Sequence, residues 1–174
     1  MRGFQQTLKI LHFGVAGLGL YVSVDGQDKL SGQLAINGSG ATDNSATLGF
    51  DKDAFVSSAY LVTIIAVAQI CVLFFYHDFK GKENHFRLAY FILAIMNLIF
   101  GSILLQGAVA LITNGGNEGL GADPANLTDD AKRVRVAGAV LGSLVLAFNF
   151  VNVYHAGYAT LEGKLGRGRS PRRK

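Results

Sequence analysis

Cysteine and charge are what this chain has least of. Among 174 residues there is one cysteine, Cys71, so no intrachain disulfide forms and cysteine pairing says nothing about redox compartment. Cys71 falls inside an apolar run, where it is expected to pack as a small buried hydrophobe. Only 16% of residues are charged against 50% hydrophobic, and the mean hydropathy is +0.33. That balance is too apolar for a soluble domain of this size. A pI near 9.3 would suit a nucleic-acid partner, but the basic residues are distributed by topology rather than along one soluble face, which excludes that class. No nucleophile–base–acid set, Gly-rich phosphate loop or metal-spaced Cys/His cluster occurs, so the chain reads as a non-enzyme without a catalytic or metal site.

What is present is four apolar runs. The clearest, 88–113, carries 26 residues without a formal charge after Arg87. A helix of that length crosses a hydrocarbon core of about 30 Å with some tilt. The others are 8–24, 54–76 and 136–161. The first, short and preceded by Arg2, has the outline of a signal peptide, but no small-x-small cleavage site follows Tyr21, and a retained helix with Lys9 reaching toward headgroups is expected. The expected fold is all-α: an integral membrane four-helix bundle, antiparallel and up-down, over 1–162. Outer loops cover 25–53 and 114–135, an inner loop covers 77–87, and a basic tail over 163–174 has the composition of a disordered segment. Leu30, Leu34 and Ile36 nearly alternate before Asn37-Gly38, the pattern of a small hairpin in the first outer loop.

Eleven Lys and Arg fall on the side of the termini, including Lys80, Lys82, Arg87 and the tail, against five on the other: Lys29, Lys52, Lys132, Arg133 and Arg135. The positive-inside rule therefore places both termini in the cytoplasm of a multi-pass plasma-membrane or endomembrane protein. The cluster Lys132, Arg133, Arg135 departs from the rule and is outweighed by the tail. Tyr21 and Tyr60 near outer span ends, and Tyr76, Tyr90, Tyr154 and Tyr158 near inner ones, are expected to place their hydroxyls among headgroups. Two glycosylation sequons, at Asn37 and Asn126, fall in the two loops that this topology puts outside.

Apolar burial does not drive helices together in lipid, so small residues and side-chain hydrogen bonds must do so. Ala94, Asn97, Gly101 and Ala108 share one face of the third span, and Gly138, Gly142, Val145, Asn149, Asn152 and Ala156 share one face of the fourth. Gly138-x-x-x-Gly142 is a close-contact motif that serves either within one bundle or between subunits. Gln69, Asn97, Gln106, Asn149 and Asn152 are expected to hydrogen-bond across the bundle. His12 and His155, both toward inner helix ends, have the residue types of a bis-histidine b-haem site, while His77 and His85 flank the inner loop. The competing reading makes His12 a hydrogen-bonding core residue. It is preferred because haem spans that pass electrons across a membrane hold ligands at two depths. No cofactor is therefore expected, with haem as the alternative.

The opening Leu8-Lys9-Ile10-Leu11-His12-Phe13, the centre Met96-Asn97-Leu98-Ile99-Phe100 and the stretch Lys132-Arg133-Val134-Arg135-Val136-Ala137-Gly138-Ala139 resemble a MARVEL domain, and within that family the fungal tetraspans linked to eisosomes. The claudin pattern is excluded by the absence of Trp and of a loop Cys pair, and the tetraspanin pattern by the absence of a Cys-rich second loop. The resemblance implies a non-enzymatic organiser of membrane domains, curvature or vesicle traffic, acting through lateral association with copies of itself, lipids and other membrane proteins. An accessory subunit of a larger complex is the remaining alternative. In the tail, Arg167, Arg169, Arg172, Arg173 and Lys174 are candidates for anionic headgroups at about 1 kcal/mol each before screening, and phosphorylation of Ser170 would weaken that attraction.

Overall fold

The computed structural model describes residues 2–30, 52–75, 83–113 and 129–167, with side chains described over 6–30, 53–75, 84–109 and 129–154 except Ala131. All described elements are helical: α1 (Arg2–Asp25), running into a single π-helical turn (Gly26–Leu30), α2 (Lys52–Phe75), α3 (Glu83–Thr113) and α4 (Asp129–Arg167). Each is long and apolar enough to cross a membrane, so the chain is a multi-pass integral membrane protein by length and composition.

The helices outrun the apolar runs that define them. α3 starts at Glu83, inside the expected inner loop, and α4 starts at Asp129, inside the expected outer loop, and passes the expected tail boundary to reach Arg167. Leaving hydrocarbon does not end a helix whose backbone bonds remain internal. At α4, Asp129 and Asp130 complement the positive end of the helix dipole, and Lys132 and Arg133 lie 3.5 and 3.8 Å from them in i,i+3 pairs. Leu30, expected in a hairpin, instead closes the π turn and is buried in the core. The rest of that expected hairpin lies outside the described residues, as do Asn37, Asn126, Ser170, Arg169, Arg172, Arg173, Lys174, His77 and Tyr76; the side chains of His155, Ala156, Tyr158 and Arg167 do too.

Each helix packs most extensively on its neighbour in sequence, and α1 meets α4 across the loosest seam. Contacts along sequential pairs run in opposite numerical order. Gly26 meets Val56 while Lys9 lies 3.9 Å over the Phe74 ring; Phe55 meets Gly107 while Gln69 meets Asn97; Gly101 meets Val145 while Leu105 meets Gly142. One apolar core centres on the fully buried Phe55 with Val22, Val62, Leu104, Leu141 and Val145; a second holds Leu8, Leu73 and Tyr90 near the N-terminal end of α1.

Glycine sets the closest of these approaches. A Cβ on Gly142 would come within 3.0 Å of the Leu105 backbone, and one on Gly138 within 2.6 Å of the Phe55 ring. Gly101 fits against Val145 in the same way. The Gly138-x-x-x-Gly142 face thus packs inside this chain's own bundle. Three hydroxyls within the spans bond to their own helices: Ser23 and Thr63 donate to the carbonyls of Gly19 and Ala59 at 2.9 Å, and Ser102 to that of Leu98 at 2.7 Å.

Candidate functional site

The spans carry their polar chemistry in two layers. In the first, Asn97 on α3 donates through Nδ2 to Gln69 Oε1 on α2 at 2.9 Å, and Gln69 Nε2 donates to Asn149 Oδ1 on α4 at 3.0 Å. Asn149 Nδ2 then donates to the Val145 carbonyl of its own helix at 2.9 Å. Gln69 is the hub because its carboxamide offers a donor and an acceptor at once, and the small residues Ala94 and Gly101 flank Asn97 on the face turned to it. Three helices are thereby tied at one level.

The second layer lies toward the N-terminal end of α1. His12 is fully buried, and a 2.8 Å hydrogen bond joins its Nε2 to the Tyr90 hydroxyl on α3. Its ring packs edge-on against Phe148 of α4, with centroids 4.8 Å apart, and against Tyr90 at 5.8 Å. Asn152, one turn beyond Phe148 on α4, is also buried. Three side-chain atoms in these layers have no hydrogen-bond partner: His12 Nδ1, Asn97 Oδ1 and Asn152 Nδ2. Arg135 Nε, at the other end of α4, is likewise buried without a partner.

Several sequence expectations are corrected here. Tyr90 does not reach headgroups; it is turned inward to His12. Its position explains this, since Tyr90, Ala94, Asn97 and Gly101 succeed one another at four, three and four residues on one face. Gln106 is exposed on the outside of the bundle instead of bonding across it: nine residues beyond Asn97, it is turned by about 180° at 100° per residue. Cys71 is also exposed, because it follows the inward-facing Gln69 by two residues. The interior places of Gly101, Asn97, Gly138, Gly142, Asn149 and Asn152 follow from the contacts above.

For the haem alternative, the geometry around His12 matters. Its Nε2 is engaged by Tyr90 and its ring face is flanked by Phe148, so axial ligation through Nε2 requires both to give way. Phe148 marks the depth of His12 on α4, and His155 follows it by seven residues, about 10 Å further along the helix. No group of three or more His, Cys, Asp or Glu residues able to hold a metal ion occurs among the described residues. What the arrangement does chemically is hydrogen-bond: it joins all four helices through groups that lipid cannot satisfy. No family model, curated protein or solved structure matches the chain.

Proposed function

We propose that this protein is a non-enzymatic membrane organiser of the MARVEL type. It spans the bilayer four times with both termini in the cytoplasm, and it acts by lateral self-association in domain organisation, curvature or vesicle traffic. The observation that carries the reading is the direction of the polar groups. Gln69, Asn97, Asn149, His12 and Tyr90 turn inward and hydrogen-bond within the bundle. The outside presents a broad apolar surface, with Ile10 and Phe150 70% and 71% exposed. Buried amides of this kind fix helix register, and an apolar exterior is the part of such a protein that meets lipid and neighbouring chains. The basic tail adds attraction to an anionic cytoplasmic leaflet.

Native mass spectrometry on protein released gently from its own membrane tests this. A ladder of identical subunits carrying lipid is the expected spectrum. A strictly monomeric mass refutes self-association, a mass containing haem gives the function to His12 and His155, and a mass containing other chains makes the protein an accessory subunit.

A further inference from the structure

Two grooves open along the seam between α1 and α4. Toward the Lys132 end, a groove of about 490 Å³ is walled by Leu18 and Tyr21 of α1 and by Lys132, Arg133 and Val140 of α4. Toward the other end, a groove of about 570 Å³ is walled by Ile10 and Gly14 of α1 and by Leu144 and Phe148 of α4. On α1 the lining positions continue one another at helical spacing, and so do those on α4, so the two grooves lie end to end as a furrow along one seam. Gly14 leaves its groove open, since a Cβ there would meet nothing within 4 Å.

Its chemistry is graded. Lys132 and Arg133 line one end together with Tyr21, and the other walls named above are apolar. These cations belong to the cluster that breaks the charge asymmetry of the loops, so topology gives them no role. Their ion pairs with Asp129 and Asp130, at 3.5 and 3.8 Å, are solvent-exposed and hold the cations weakly.

We propose that this furrow binds an anionic membrane lipid, with its phosphate at Lys132 and Arg133 and one acyl chain lying along the α1–α4 seam. Charge favours a lipid over an apolar protein helix: two cations stand at one end of a lining that is otherwise largely apolar over about 24 Å of α4. One leaflet is about 15 Å deep, which takes a chain from Arg133 past Val140 toward Gly14. The site stands on the spanning arrangement alone and is independent of self-association.

The test uses full-length protein in which the five tail cations, Arg167, Arg169, Arg172, Arg173 and Lys174, are replaced by Gln. It is reconstituted in nanodiscs of phosphatidylcholine containing phosphatidylglycerol, and the lipids retained by the released protein are counted by native mass spectrometry. Phosphatidylglycerol is expected to be enriched about fivefold over its share of the bilayer. Lys132→Gln with Arg133→Gln should return retention to that share. Gly14→Leu, which enters open space, should reduce retention of both lipids while helical content by circular dichroism is unchanged. Retention of the two lipids in proportion to the bilayer, enrichment that survives the double substitution, or full retention by folded Gly14→Leu each overturns the site.

Discussion

Replacing Gln69 by Met removes the hub of the amide layer while keeping a flexible, nearly isosteric side chain. Two hydrogen bonds are lost, from Asn97 Nδ2 at 2.9 Å and to Asn149 Oδ1 at 3.0 Å. Cross-helix hydrogen bonds in membrane proteins average about 0.6 kcal/mol and reach about 1.7. The variant also leaves a buried donor and a buried acceptor unpaired, at about 1 kcal/mol each at the low end of such penalties. The expected loss is therefore about 3 kcal/mol, read from reversible unfolding in mixed micelles of increasing denaturing detergent. Asn97→Leu and Asn149→Leu in the same background should restore much of it, because removing every partner removes the desolvation penalty. A loss below about 0.5 kcal/mol for Gln69→Met, or losses that simply add across the three substitutions, refutes a coupled amide layer.

Backbone approach at Gly142 predicts that Gly142→Ala lowers stability by about 1–3 kcal/mol, since the new Cβ meets Leu105 backbone, whereas Gly14→Ala stays within about 0.5 kcal/mol. Equal effects in the same detergent assay contradict the packing. Tyr90→Phe strands His12 Nε2 in the core and should cost about 1–2 kcal/mol, seen as a lower thermal midpoint; an unchanged midpoint argues against the pair. Cys71, exposed on α2, should react with a membrane-soluble maleimide in the folded protein, and labelling that requires denaturant contradicts its outward position.

The architecture was written plainly in the sequence because lipid imposes it: with no water to satisfy the backbone, apolar runs of spanning length have to be helices. The inward faces were legible for the same reason, since Ala94, Asn97, Gly101 and Ala108 keep helical spacing, as do Gly138, Gly142, Val145 and Asn149. Composition alone misplaces residues whose chemistry suits two environments. Tyr90 sits near a span end, where an aromatic ring is at home among headgroups, and only its register with Asn97 turns it to His12. Gln106 and Cys71 were assigned to the interior by residue type, and their angular offsets from Asn97 and Gln69 put them outside. The His12–Tyr90 bond joins residues 78 apart and the Gln69–Asn149 bond residues 80 apart, pairings that helical periodicity within one run does not encode. The furrow was invisible for a further reason: it is made by the looseness of the α1–α4 seam, while the sequence shows only Gly14 without saying what it faces.

Four spans put both long loops on one side of the membrane. In a Cys71→Ala background, single cysteines replacing Ser45, Asn117 or Lys80 test this topology in intact cells with a membrane-impermeant maleimide. Labelling is expected at positions 45 and 117 without permeabilisation and at position 80 only after it. Labelling of 45 and 117 from opposite sides, or of 80 from outside, contradicts it.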